Sequence, residues 1–352
     1  MEFNVLILQA AEAERCVWSP EFVSEWDMLL AETPSSTVFQ SAKYAQIWWS
    51  VYGPACRLAV AVCRSSAGLL VGYYALAKLG DGDWGSIGLH QCDYPAVLAR
   101  GDDPVIVTAI LRSLQQALSL RRLSFVFLPP ASPVEGYVDA ALAAEVRDCP
   151  LPYRTFGDVM PPSKRTKQKL GKLRQLGARA EIVDISSAHA EFLPKFIRLH
   201  EARQKAMAHT APFESDPMKA RYLVALARDG GLLHVVALWI EARLVAAAIS
   251  IKDRSRIILG MLAHDEDLEA LSPAAMLIHE LGLLCRGSEI RTIDLTPGGT
   301  YKQRFATGTE TAFTAELTWS IGGACRIWVR CVARHALNEY RKLFARSKST
   351  VE

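Results

Sequence analysis

Two stretches of this 352-residue chain run through one order of elements, and that echo limits the fold more than any single motif. Leu69-Leu70-Val71-Gly72 sits in an apolar hairpin, a helix opens at Pro104, and the strand after it ends at Pro129-Pro130. Arg243-Leu244-Val245-Ala246 sits in a second hairpin, a helix opens at Pro273, and the next strand ends at Pro297-Gly298-Gly299. Identity between the two stretches is low, so what repeats is the arrangement. The expected class is α/β, built as two like units, and the length suits two domains. Only the second stretch is followed by a Tyr-Lys pair, so the chemistry is expected there.

That second strand end reads E-I-R-T-I-D-L-T-P-G-G-T-Y-K-Q-R-F over residues 289–305. Ile293 and Leu295 alternate with Asp294 and Thr296, the pattern of a short strand. Pro297-Gly298-Gly299 breaks it, with backbone freedom to turn sharply or to approach a ligand. Tyr301, Lys302 and Arg304 follow, closed by Phe305. Chemistry in α/β enzymes gathers just past the carboxyl ends of strands. The competing reading is a solvated loop with a surface anchor.

The remaining elements follow from periodicity and breakers. Helices are expected over Phe22 to Ala31, from Ser41 to Gly53, from Pro104 to Leu120 and from Glu135 to Val146. Cys149-Pro150-Leu151-Pro152 reads as the crossing into the second half. A basic helix then carries Lys164, Arg165, Lys167, Lys169, Lys172 and Arg174, with Leu170, Leu173 and Leu176 as a seam and Ser163 as its cap. So many like charges cost free energy unless something negative shares them. Such a helix is either a linker docked by its leucines or a contact for an acidic polymer. Three strands, Leu233 to Ile240, Leu244 to Ile251 and Arg256 to Ala263, form an antiparallel meander. A helix opens at Ser272-Pro273, Phe313 to Trp319 is the last strand, and Cys325 to Arg346 is a helix. On that helix Arg326, Arg330 and Arg334 stack on one side, with Trp328, Val332, Leu337, Tyr340 and Phe344 along the other. This basic face is a solvated one or a contact for a membrane surface or acidic partner.

Composition narrows the class. Half of the residues are hydrophobic and 22% are charged, which excludes a disordered chain. A formal charge of +3 is too small to argue for nucleic acid by itself. The eight cysteines are scattered without a C-x-x-C, and most sit in apolar runs and read as reduced core residues. His90, Cys92 and Asp93 have metal-ligand chemistry but no further ligand at a diagnostic interval, so no metal is expected. No signal peptide and no membrane-spanning stretch is read, so a cytoplasmic enzyme is expected, with a peripheral inner-membrane position as the alternative.

Arg243 to Phe305 resembles the GNAT-like acyltransferases associated with cellulose and exopolysaccharide biosynthesis, the CelD-type family, itself similar to the peptidoglycan-bridge aminoacyltransferases. The resemblance rests on the meander, the Leu271-Ser272-Pro273 helix start, Asp294, Gly298 and Tyr301-Lys302-x-Arg304-Phe305. Val38-Phe39-Gln40-Ser41 through Trp48-Trp49 and Gly53 looks like that family's opening segment, and Lys164 to Leu176 like its linker helix. The resemblance implies a tandem GNAT-like fold, mixed twisted sheets flanked by helices. The implied domains are a degenerate one at 1–158, the linker helix at 159–178 and a catalytic one at 179–352. It also implies acetyl-CoA or another acyl-CoA as co-substrate, with a small-molecule or saccharide acceptor. One departure stands out: the usual Gln/Arg-x-x-Gly-x-Gly/Ala entry to the donor-binding helix is replaced by Leu271-Ser272-Pro273-Ala274-Ala275, without glycine. A donor other than CoA, such as an aminoacyl-tRNA, therefore stays open, as does a non-enzymatic partner of a polysaccharide synthase. Nucleic acid is a partner only in the tRNA case.

Within that frame, Ser272, Ala274 and Ala275 are expected to receive the donor's pyrophosphate on free helix amides. Asp294 is expected to orient or deprotonate the acceptor, Tyr301 to protonate the thiolate, and Lys302 and Arg304 to hold phosphate or an anionic acceptor. Each has a bland counterpart: Asp294 as a brace of the Pro297 turn, Tyr301 as a half-buried wall, and Lys302 and Arg304 as partners of Asp294 or Glu310. The basic helices at 164–174 and 326–348 are the expected contacts for an acidic polymer or membrane surface.

Overall fold

The computed structural model describes residues 2–156, 164–229, 231–285 and 288–349, with side chains left out at 300 and 338–349. The strands are β1 (Phe3–Gln9), β2 (Cys56–Ser65), β3 (Leu70–Leu79), β4 (Trp84–Ser86), β5 (Leu98–Ala99), β6 (Arg122–Leu128), β7 (Ala143–Thr155), β8 (Ala178–Val183), β9 (Leu233–Ile240), β10 (Arg243–Asp253), β11 (Arg256–His264), β12 (Thr292–Asp294) and β13 (Gly308–Thr318). The helices are α1 (Ala10–Val17), α2 (Pro20–Ala31), α3 (Ala42–Tyr52), α4 (Pro104–Leu118), α5 (Val134–Ala140), α6 (Lys164–Gln175), α7 (Ile185–Ala206), α8 (Pro212–Ser215), α9 (Met218–Asp229), α10 (Pro273–Leu284) and α11 (Ile321–Ser349). The sequence signals for helix starts act as capping chemistry. Ser19 accepts from Phe22 N at 3.2 Å ahead of Pro20, and Asp103 accepts from Val105 N at 2.8 Å ahead of Pro104.

The chain forms two compact units: residues 1–36, 57–148 and 313–352 in one, 37–56 and 149–312 in the other. They follow the chain differently from a division at 158 and 179, because each is assembled from separated segments.

The first unit holds the sheet β1-β2-β3-β4, with β5 also on β3. Its core gathers Val71, Leu76, Ile106, Ile110, Leu114, Phe125 and Tyr137. Gly72 lets α4 lie on β3, since a Cβ there would come within 2.5 Å of Ile106 Cγ2 and 2.8 Å of Ile110 Cδ1. In the same unit β6 pairs antiparallel with β13 from Leu128↔Phe313 to Arg122↔Thr318.

The second unit runs β7-β12-β11-β10-β9-β8. The meander β9-β10-β11 is antiparallel as expected, and β12 joins β11 in parallel through the crossover α10. Val236, Val245, Ile257, Leu277, Leu281 and Ile293 fill its core. Leu170 and Leu173 of α6 are buried in that core, whereas Leu176, expected in the seam, lies past the helix end and is exposed. The Ser163 cap falls outside the described residues.

One stretch differs from the sequence reading. The helix expected over Glu135 to Val146 stops at Ala140, and β7 begins at Ala143 and runs through Cys149-Pro150-Leu151-Pro152 to Thr155. Pro150 and Pro152 are two residues apart, so both missing N–H groups fall on one edge of the strand and the other edge still pairs.

Candidate donor site at the parting of two strands

β11 and β12 pair only through Arg256↔Thr292, Ile257↔Ile293 and Ile258↔Asp294. β11 then continues to His264 beside β10, so among the described residues its other edge is unpaired from Leu259 onward. The β10 register jumps from Ile249↔Met261 to Ser250↔Leu259, which makes Gly260 a bulge residue within that open edge. An unpaired strand edge offers a row of N–H and C=O groups to an extended ligand. From Ile258 to His264 it runs about 20 Å, at about 3.3 Å per residue.

Beyond His264 a 3₁₀ turn over Glu266–Leu271 leads into α10. Ser272, at the entry, adopts φ of +56°, the left-handed conformation that glycine supplies elsewhere. That is how the chain enters α10 without the glycines. Ala275 N and Met276 N close on Ser272 O at 3.0 and 3.2 Å, and Pro273 holds the first helical position. Lys169 of α6 donates from Nζ to Ser272 Oγ at 2.9 Å. An ammonium therefore stands at the positive end of the α10 dipole, an arrangement that costs about 0.3–1 kcal/mol unless an anion joins it. Arg174, one turn along α6, pairs with Glu280 at 2.6 Å. Lys164, Arg165, Lys167 and Lys172 are exposed.

At the other end of the open edge Asp294 is only 2% exposed. Its Oδ1 accepts from Thr296 N at 2.6 Å, and its Oδ2 lies 4.0 Å from Arg256 Nη1. Arg256 also holds Glu310 through two hydrogen bonds of 3.0 and 3.1 Å. Thr296 takes φ of +59°, so the Asp294 carboxylate braces a strained turn. Lys302 Nζ ties the same turn, donating to Thr296 Oγ1 at 2.7 Å and Thr296 O at 3.1 Å. Tyr301 is 44% exposed, and Arg304 donates from Nε to Tyr301 O at 3.0 Å while lying against the Tyr301 and Phe305 rings. Asp294, Thr296 and Lys302 are thus brought together, as are Ser272 and Lys169. Glu310 is bonded by Arg256.

Two further groups had no signal in the sequence. Arg203 of α7 donates to His264 Nδ1. Burial, and then the Arg203 cation, push the His264 pKa down, so the ring is neutral with its proton on Nε2. It lines a recess of about 550 Å³ with Lys195, Arg198, Arg243 and Asp265. In the core, His234 Nε2 lies 3.8 Å from Cys285 Sγ. Burial lowers this imidazole to about 4 and raises the thiol to about 11, so the pair is neutral and does not activate a nucleophile.

Residues 163–304, which hold the open edge and the α10 entry, match the sequence model of an acetyltransferase (GNAT) domain. The presence of this domain supports acyltransferase activity. Solved structures agree on the fold. FemX aligns with a TM-score of 0.57 at 10% identity, over 83% of this chain and 95% of its own. A protein of unknown function from Bacteroides thetaiotaomicron aligns at 0.55 and 11%, over 84% and 97%. L-PGS from Bacillus licheniformis aligns at 0.54 and 11%, over 90% and 97%. The mixed sheets flanked by helices are those of a tandem GNAT-like acyltransferase fold. A search of curated protein sequences returns no match.

Proposed function

We propose that the chain transfers an acyl group, an acetyl group in the simplest case, from an acyl-CoA to an amine or hydroxyl. The observation that carries this reading is Lys169 at the positive end of α10, where two like-signed features, an ammonium and a helix N-terminus, meet. A pyrophosphate fits that place: Ala274 supplies an N–H, the Ala275 N–H already being bonded to Ser272 O, and Lys169 supplies a formal charge. The open edge of β11 then suits the amide-bearing arm of such a donor, which would run from the α10 entry toward Ile258 and Asp294.

An acyl-CoA supplies an activated thioester. The chain's own part is to fix it and polarise its carbonyl. N–H groups of the unpaired edge around the Gly260 bulge are the donors available for the developing oxyanion. Asp294, held by Thr296 and facing Arg256, acts in this reading as a positioning residue for the turn at the strand end. Tyr301, an exposed hydroxyl close in sequence to that turn, is assigned the protonation of the departing thiolate. Arg304 is assigned to an anionic part of the acceptor. The resemblance to CelD-type proteins supports a sugar-linked acceptor of envelope or exopolysaccharide metabolism. A thermal-shift series over acyl-CoA species of graded chain length tests the donor: no stabilisation by any of them contradicts the proposal.

The exposed cations of α6 favour a second reading, in which the donor is an aminoacyl-tRNA. Affinity for RNA that falls steeply with salt, together with no stabilisation by acyl-CoA, would select it.

A further inference from the structure

The two most exposed large apolar side chains of the described residues lie on α11. Ile321 is 79% exposed and Trp328 67%, with Val329, Val332 and Leu337 also about half exposed or more. Ile321, Cys325, Trp328 and Val332 recur at alternating steps of four and three residues, which places them on one helix face. The opposite side is anchored: Ile327 is buried, and Arg330 and Arg334 both reach the buried carboxylate of Glu145, Arg330 also bonding Glu316 at 2.9 Å. The outward face is therefore held in place rather than frayed from the unit. A tryptophan beside branched aliphatics on a fixed, uncovered helix face marks a contact surface.

Charge decides among the occupants. With Arg330 and Arg334 already paired, the helix still carries Arg326 and, in its sequence beyond Leu337, Arg341, Lys342, Arg346 and Lys348, against the single acidic residue Glu339. A second copy of the helix would bring like charges together, at a cost that rises as the pair is desolvated. A surface that is apolar in depth and negative at its boundary satisfies both features at once. We infer that α11 lies on an anionic lipid surface, with Trp328 and Val332 entering the acyl boundary and the basic residues of its sequence among the headgroups. This holds independently of the donor site in the other unit.

The test is co-sedimentation of the full chain with phosphatidylcholine vesicles, with and without phosphatidylglycerol, at low and high salt. The expected result is binding to the anionic vesicles, weakened but not abolished by salt. The double variant Trp328→Ser, Val332→Ser is expected to partition at least about tenfold less, from the apolar area it removes. Lys342→Glu with Arg346→Glu, at the spacing that continues the Trp328 face, is expected to weaken binding mainly at low salt. Trp328 and Val332 are exposed, so an unchanged melting curve accompanies the result for the serine variant. Equal binding to neutral and anionic vesicles, or none to either, overturns the inference. So does binding that survives the double variant undiminished, which identifies a simple polyanion contact. A concentration-dependent dimer in sedimentation velocity that the double variant abolishes assigns the face to a second copy and overturns it too.

Discussion

Lys169 and Ser272 are 103 residues apart, and the Lys169 ammonium bonds the Ser272 hydroxyl at 2.9 Å where α10 begins. A cation at that end of a helix opposes the dipole, and the opposition turns into attraction only when an anion sits between. Lys169→Met should therefore leave the melting temperature of the free protein unchanged or slightly raised. Its Kd for acetyl-CoA should rise about 5- to 30-fold, the loss of one charge-assisted contact. A variant that melts much lower than the parent would instead make Lys169 a structural strut.

Ser272 pays for its left-handed backbone with about 1–2 kcal/mol of steric strain. Ser272→Gly should raise stability by about 0.5–1 kcal/mol and keep donor binding, because the helix amides are unchanged. Ser272→Val, β-branched at a positive φ, should lower stability by at least about 1 kcal/mol. Chemical denaturation of the two variants against the parent measures both. The reverse order would mean that the Ser272 hydroxyl, and not its backbone, shapes the entry.

Asp294→Asn keeps an oxygen for Thr296 N but turns an amide group toward Arg256. Arg256 keeps its two bonds to Glu310, so losing the Asp294 charge 4.0 Å from its guanidinium should cost about 1 kcal/mol of stability. Turnover per folded molecule at saturating donor should stay within about tenfold of the parent. A loss of roughly 10²-fold at unchanged melting temperature would make Asp294 the general base instead.

Burial holds His200 and His234 at about 4, below the ordinary imidazole value of 6.5. Lys219 and then Arg203 add to the effect at His200, as does Lys252 at His234. The unfolded chain takes up these protons first, so both groups support the fold fully above pH 6.5 and progressively less as the pH falls toward 4. Melting curves from pH 8 to pH 4 should show this decline, and His234→Gln should flatten part of it. A melting temperature independent of pH over that window would contradict the buried neutral assignment.

How much of this could be read in the sequence depends on how local the signal was. The meander, the Ser272-Pro273 helix entry and the strand ending at Asp294 were legible because alternation, breakers and caps act over a few residues. β7 was misread because Pro150 and Pro152 look like linker residues until the strand edge they occupy is known. The apolar spacing before them fits a helix as well as it fits a strand. The site was less legible than the fold. Lys169 with Ser272, Arg203 with His264 and Arg256 with Glu310 are joined only by tertiary packing, so no spacing in the chain announces them. The basic run of α6 was visible, but that Lys169 alone among its lysines would reach the α10 entry was not. Glu145, which fixes Arg330 and Arg334 and so turns the Trp328 face outward, lies far away in sequence and was read as part of a helix.

The central claim is that the entry of α10 holds the pyrophosphate of an acyl-CoA donor. Isothermal titration of acetyl-CoA into the parent and into Ala274→Asp tests it most directly. A carboxylate in the first turn favours the helix itself, so the variant should melt at or above the parent temperature. Set against a bound pyrophosphate, the same carboxylate should weaken affinity at least about tenfold, or about 1.4 kcal/mol. Weakened binding at undiminished stability is the predicted result; equal affinity in the two proteins would contradict the account.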